Sequence, residues 1–576
     1  MKATRKLLAL LLALLLTAAL TVPALANGDD GTDEAQPQAD TTYTITIENN
    51  KPGHTYEAYQ VFAGDLAGSV LSNIQWGTGV NGAGLLAALK EDTTIGSNFT
   101  DCTTAAQVAE VLTKKFDSDS DDLNAFAVLV NAHLAASATG TSGAISEEKY
   151  TISGLPAGYY LLKDQDNSLD DSNSAYTMYM LQLVGNLTTT PKASAPTVEK
   201  KVQENTKVTK NEGYGTGYND VADWNIGDAV PFKLIGALPA MSGYDTYKYV
   251  FHDTLSAGLT LNADSVEVYV TATKDANLES ATKLTATTDY TLITSNTGDG
   301  CSFEVVFSNL TEVTIPEGSE YIIVAYTATL NKNAEIGLDG NPNEVYLEFS
   351  NNPYAEEETN ETPKDTVIVF TYELDTTKVD GGSADPENPA KLPDAQFVLL
   401  NSDGTKVAKI DAANKFDGWV ELPEGTGEGG AITYEDWTTC NKTNPVILTS
   451  DDDGLFKVIG LDDGTYKLRE IQAPDGFNLL PNDVEVVITA DTNNGQDWTS
   501  GMASEALTDL NVTADKEPGN GQAITGIAAI TIENNKGATL PETGGMGTTV
   551  FYVLGGILAV GAGVLLVARR RMRGER

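Results

Sequence analysis

Two stretches of this chain each present a lysine near the start, a carboxylate in the middle and an asparagine near the end. In "VEKKV", Lys200 has the strand parity of Val198 and Val202, and Lys201 has the opposite parity. In "YELDTTKV", Lys378 shares parity with Tyr372 and Leu374. Asp253 in "YVFHD" falls on the face of Tyr249 and Phe251, and Glu470 in "YKLREI" on that of Tyr466 and Leu468. Asn351 follows Leu347 and Phe349, and Asn534 follows Ile530 and Ile532. A lysine is costly to bury unless it is paired or neutralised. Desolvation lowers a lysine pKa and raises a carboxyl pKa. A neutral amine can then attack the carboxamide carbon while a protonated carboxyl polarises the carbonyl and moves protons as ammonia leaves. Proximity supplies much of the acceleration. The product is an amide crosslink, made once by the folded domain. The same parity also fits an ordinary strand-edge ion pair, and the adjacent Asn352, Asn535 and Lys201 leave the partners open.

Other chemistry finds little support. The histidines are His54, His133 and His252, too few to suggest a zinc site or a Ser-His-Asp triad. "DSDSDDLN" from Asp117 has Asp122 and Val128 where a calcium loop needs Gly and Glu, so it reads as a solvated turn. "SDDDGLF" from Ser450 reads as a turn before a strand. No glycine-rich phosphate loop appears. No metal, cofactor or turnover enzyme is expected. The net charge of −45 argues against nucleic acid, whose binding needs a basic footprint. Three widely spaced cysteines, Cys102, Cys301 and Cys440, do not make a disulfide framework.

The elements that must position these residues are strands. Residues 194–363 alternate throughout, as in "SVEVYVTAT" and "YIIVAYTATL", with Gly, Pro, Asn and Asp turns between. Residues 366–538 repeat the theme with "AQFVLLN", "TYKLREI" and "VEVVITA", and long loops interrupt it near "EGTGEGGAITYEDW". Residues 27–193 open with the strand pattern "TYTITIE", then carry helical patterns in "GLLAALKED", "TAAQVAEVLTKKF" and "DDLNAFAVLVNAHLAAS" before returning to strand. The expected fold is all-β: tandem Ig-like β-sandwich domains, the first with a helical insertion.

The two ends read as export and anchoring. Lys2, Arg5 and Lys6, an apolar middle and Ala24-Leu25-Ala26 make residues 1–26 a signal peptide. Residues 550–568 are uncharged and long enough to span a bilayer, which takes roughly 20 residues. The basic tail 569–576 then stays on the cytoplasmic side.

Several motifs carry a resemblance. "YKLREIQAPDGF" resembles the E-box of Gram-positive pilins; "FHDTLSAGLT" and "EFSNNP" are similar to the second domain of pilus backbone subunits. "TTKVD", "AQFVLL" and "IENNKGATLPETGG" resemble their last, CnaB-like domain, and "TYTITIENNKPGHTYEAYQVFAGDL" their first. The resemblance covers nearly the whole mature chain. It implies tandem CnaA/CnaB-like sandwiches with self-generated isopeptide bonds, using Lys200, Asp253 and Asn351 in one domain and Lys378, Glu470 and Asn534 in the next.

The same resemblance explains the end of the chain. Leu540, Pro541, Glu542, Thr543 and Gly544 form "LPETG", which resembles a sortase signal cut between Thr543 and Gly544. In the family, the amine that receives the threonine is a lysine in a "VYPKN"-like motif. "TTTPK" places Lys192 there, with Thr190 for Tyr and Ala193 for Asn. The expected protein is therefore a major subunit of a covalent pilus, Thr543 of one copy joined to Lys192 of the next. Its expected partners are pilus-type and housekeeping sortases, identical subunits, peptidoglycan, ancillary pilins and host surface ligands. The alternative is an ancillary pilin or a monomeric wall-anchored adhesin, which has no need of Lys192.

Overall fold

The structure, a computed structural model, describes residues 41–118, 120–169, 173–192, 195–205, 210–211, 213–241, 244–295, 297–338, 340–353, 355, 358–493, 503–537 and 547–571. The signal peptide, Ala193 and the LPETG motif lie outside these residues.

In the first segment a three-stranded sheet is ordered Lys149–Pro156, Thr42–Glu48, Leu187–Thr189. It packs Ile45, Ile47, Tyr150 and Ile152 against Tyr56, Tyr160 and Leu162 of a second sheet. The strand Tyr56–Ala67 of that second sheet is buried on both faces. Its far face, with Val61 and Phe62, is covered by Leu85, Leu89, Val108, Phe126 and Val130 from the three expected helices. These helices are Gly82–Glu91, Ala105–Lys115 and Asp121–Asn131. Thr104 and Gln107 close a capping box on the second. The acidic run from Asp117, expected to be a turn, starts the third: Ser120 Oγ accepts from Leu123 N at 3.2 Å, and Asp121 and Asp122 sit at the positive end of the helix dipole.

The middle segment is a sandwich of two seven-stranded sheets. One carries Val198–Gln203, Ala229–Ala237 and Tyr321–Leu330; the other carries Tyr249–Leu255, Phe303–Phe307 and Asn341–Ser350. Between them lies a core that includes Phe232, Tyr249, Phe251, Phe303, Val345 and Leu347. The strand Asp365–Phe370 pairs with Asn341–Ser350 and with Val221–Asp223. The chain therefore leaves this sandwich at Thr371, not at residue 363, and enters the next strand, Tyr372–Asp380, at once.

The third segment sets a four-stranded sheet, with Tyr372–Asp380 and Ile527–Asn534 as parallel neighbours, against an eight-stranded one containing Gly464–Gln472. The expected loop near "YEDW" holds a helix, Tyr434–Asn441, whose Trp437 packs on Val398, Leu400 and Val407 outside the sandwich. The two sandwiches share buried surface: Val221, Ile368 and Phe370 belong to the same cluster as Tyr372 and Leu461. Ile226 N donates to Gly460 O at 2.9 Å, and a Cβ on Gly460 would fall 2.4 Å from Ile226. Glycine alone fits there.

Candidate functional site

Strand parity carries Lys200 into the dry space between the middle sheets, where it is fully buried. Asp253 and Asn343, both fully buried, reach it from the opposite sheet. Lys200 Nζ donates to Asp253 Oδ2, to Asn343 Oδ1 at 2.6 Å and to Glu344 O at 3.3 Å. Tyr326, on the lysine's own sheet, joins the remaining groups. Its hydroxyl donates to Asp253 Oδ2 at 2.8 Å and accepts from Asn343 Nδ2 at 2.8 Å. Lys201, on the other face, pairs with Asp220.

The expected asparagine is not at this site. Asn341, Asn343, Val345, Leu347, Phe349 and Asn351 all share one parity, so parity alone cannot choose among the asparagines. Register does: Asp253 faces Val345, one step on that face from Asn343. Asn351 is eight residues farther along, roughly 26 Å at 3.3 Å per residue, beyond a lysine's reach. It lies past the strand's end, where its carbonyl accepts from Tyr176 N of the first segment at 2.7 Å. Tyr326 was not foreseen either, because nothing in its alternating strand marks one tyrosine as different.

In the third segment, Lys378, Glu470 and Asn534 come together. Lys378 pairs with Ile532 in the parallel ladder, so Asn534 is the next residue on the same face. Lys378 Nζ donates to Asn534 Oδ1 at 2.6 Å and to Ile532 O at 3.2 Å. Glu470 reaches over from the opposite sheet. It accepts from Asn534 Nδ2 at 2.9 and 3.2 Å and from Leu480 N at 2.8 Å, and lies 3.9 Å from the lysine.

Burial tunes both sets the same way. It lowers the Lys200 pKa and raises that of Asp253, against their mutual attraction. It lowers Lys378 to about 8 and raises Glu470. Each set is thus biased toward a neutral amine beside a protonated carboxyl, the forms that amide attack needs.

Lys192 is exposed and follows the edge strand Leu187–Thr189. Its backbone N donates to Thr177 Oγ1 at 2.9 Å, and Thr189 Oγ1 meets the Tyr179 hydroxyl at 3.0 Å, which fixes the segment on the sheet beneath. At the other end, Gly547–Arg571 is one helix. Its stretch Tyr552–Arg571 has mean hydropathy 1.9 and none of it is buried, as suits a bilayer span.

Residues 226–353 match the Cna-B-like domain of the Gram-positive pilin backbone subunit 2. In that stretch the chain is similar to the Gram-positive backbone pilins. Residues 376–501 match a prealbumin-like fold domain, and 532–572 match the LPXTG cell wall anchor motif. The chain is thus a secreted, cell-wall-anchored surface protein. The trypsin-resistant surface T6 protein of Streptococcus pyogenes serotype M6 is 25% identical over 415 residues, 67% of this chain and 70% of that protein. The solved T6 backbone pilin of that serotype covers 87% of this chain and 100% of its own, at 18% identity and a TM-score of 0.47. The full-length major pilin SpaD from Corynebacterium diphtheriae covers 88% and 100%, at 16% identity and a TM-score of 0.43.

Proposed function

We propose that this chain is the shaft subunit of a covalent filament, and that it makes two amide bonds within itself, Lys200–Asn343 and Lys378–Asn534. In each, the lysine nitrogen attacks the asparagine Cγ, the Cγ–Nδ2 bond breaks and ammonia leaves. Asp253 and Glu470 take the amine proton and return one to the departing nitrogen. Glu470 touches Asn534 Nδ2 directly, whereas Asp253 reaches Asn343 Nδ2 through the Tyr326 hydroxyl. The reaction turns over once per site, so the chain acts as a structural protein. The observation that carries this reading is the pair of dry lysine–acid–asparagine sets, each with its amine 2.6 Å from the amide oxygen. A buried lysine and acid are costly unless well paired; an amide bond leaves a neutral group in their place.

Subunits join head to tail when a sortase cuts between Thr543 and Gly544 and passes the Thr543 carbonyl to Lys192 of the next copy. Lys192 suits this role because it is exposed and follows Pro191, which holds its approach extended. Lys200 is buried and occupied, so it cannot serve. Lys192→Arg keeps the charge without a usable primary amine. Cells expressing it should show anchored monomer by immunoblot of wall extracts, with the detergent-resistant ladder of wild type gone. A full ladder from this variant would move the acceptor to another lysine. A wild-type chain that never forms a ladder beside its own sortases would favour a monomeric adhesin.

A further inference from the structure

The outer face of the middle sandwich carries a second constellation, directly behind Asp253. His252 is the next residue on the strand, so its ring points out of the core where Asp253 points in. Its two cross-strand neighbours are Glu304 and Tyr346. The turn before Phe303–Phe307 adds Asp299 and Cys301. This turn is held by Asp299 Oδ1, which accepts from Cys301 N at 3.0 Å, so the thiol is directed back onto the strand. His252 Nδ1 lies 3.2 Å from Asp299 Oδ2, 3.6 Å from Glu304 Oε1 and 3.9 Å from Cys301 Sγ. Cys301 Sγ is 3.9 Å from Glu304 Oε1, and all four donor atoms lie within 4.8 Å of one another.

We propose that His252, Asp299, Cys301 and Glu304 form a binding site for a zinc-type divalent metal ion. Tetrahedral zinc with bonds of about 2.0–2.3 Å to N, O and S donors needs ligand-to-ligand separations of roughly 3.3–3.6 Å. The four side chains are already close to that spacing. The donor set of one imidazole, one thiol and two carboxylates suits zinc better than calcium or magnesium, which take oxygen alone.

A supporting layer is also in place. His252 Nε2 faces Glu348 Oε2 at 3.5 Å, the carboxylate–imidazole arrangement that orients metal-bound histidines. Tyr346 stacks on the imidazole, with centroids 4.5 Å apart and planes 3° apart, and donates to Asp299 Oδ2 at 2.5 Å. His252, Cys301 and Glu304 are at least nine-tenths buried, while Asp299 is exposed and leaves an approach from solvent. Three carboxylates thus surround one imidazole, and a divalent cation would balance them. A metal-held thiolate would also account for a buried free cysteine on an exported chain. Three histidines in the whole sequence are few for a zinc protein, but this site uses only one.

The test uses the full chain, extracted in detergent under reducing conditions, stripped with a chelator and dialysed against zinc. Elemental analysis should find one zinc per chain. Cobalt in its place should give a thiolate-to-metal absorption band that Cys301→Ser abolishes. Glu348→Gln, which contacts the site only through His252, should weaken zinc binding about 10–100-fold, and it carries the test if Cys301→Ser does not fold. Absence of stoichiometric zinc, or a cobalt band or zinc affinity unchanged in both variants, would overturn the proposal.

Discussion

The two lysine–acid–asparagine sets use the same three kinds of group in different frames. In the middle sandwich the lysine belongs to one sheet and the asparagine to the other, so a bond between them would staple the sheets across the core. In the third segment the two lie on adjacent parallel strands of one sheet, the segment's first and last, and only the acid comes from across the core. The local chemistry is alike because both sets are dry and both place the amine 2.6 Å from an amide oxygen. What differs is the mechanical circuit. The third-segment bond would connect the point where the chain enters to the point where it leaves for the anchor. The middle bond would bypass everything between Lys200 and Asn343 and leave only the hairpin to Phe370 in line. In a filament loaded through Lys192, the first segment lies outside that circuit and needs no such bond. Its buried lysine, Lys163, instead bonds Asp166 at 2.6 Å.

The largest effect would come from breaking either bond. A soluble fragment holding both sandwiches should weigh two ammonias less than its sequence by intact mass. Asp253→Ala, Asn343→Ala, Glu470→Ala and Asn534→Ala should each restore one. Asn351→Ala should leave both losses intact, which separates the geometry seen here from the strand-end asparagine. The bonds span 143 and 156 residues. Treated as disulfides by the chain-entropy relation, loops of that length give about 5 kcal/mol each. Thermal or denaturant unfolding of each acid-to-alanine variant should show a loss of that order. A wild-type fragment of unreduced mass would sink both sites.

These sites were legible in the sequence to different depths. Lys200, Asp253, Lys378, Glu470 and Asn534 stood out because a charged or amide side chain on the parity of Tyr, Leu and Phe breaks an apolar face. Parity is a local property with a period of two, and sequence carries it. Register along a strand is not local, because it depends on how distant strands slide against one another. Asn343 and Asn351 are equivalent by parity and were separated only by the pairing of Asp253 with Val345. The end of the middle segment was misplaced for a related reason. Thr366–Phe370 looks like the start of the next sandwich, yet its partners are Asn341–Ser350 and Val221–Asp223.

A smaller effect probes the proton path. Tyr326 sits between Asp253 and the amide nitrogen of Asn343, whereas Glu470 touches the amide nitrogen of Asn534 directly. Complete loss of general acid–base help costs about 10²–10⁴-fold. Tyr326→Phe keeps Asp253 and should cost less, slowing the middle bond about tenfold while the third-segment bond forms at its normal rate. Time-resolved mass spectrometry of freshly refolded protein reads both in one sample. A middle bond that forms as fast in this variant as in wild type would remove the tyrosine from the path.

The smallest effect is one of pH, and it distinguishes a bonded from an unbonded lysine. In the unbonded state burial lowers Lys378 to about 8 from an ordinary 10.5. Below pH 8 the amine is protonated in both folded and unfolded chains, and its burial as a cation counts against folding. Between pH 8 and 10.5 the unfolded chain holds more protons than the folded one, so stability rises with pH. Above 10.5 both forms are neutral and the rise ends. Asn534→Ala removes the amide carbon that Lys378 would attack, so this variant should grow more stable from pH 8 toward 10.5, followed by urea titration at several pH values. A bonded wild type would have an amide nitrogen at that position, which does not titrate, and should lack this component. The difference between the two pH profiles isolates the Lys378–Glu470 pair from groups whose surroundings are the same in both. A wild-type profile rising as steeply as the variant's would mean that Lys378 keeps its free amine.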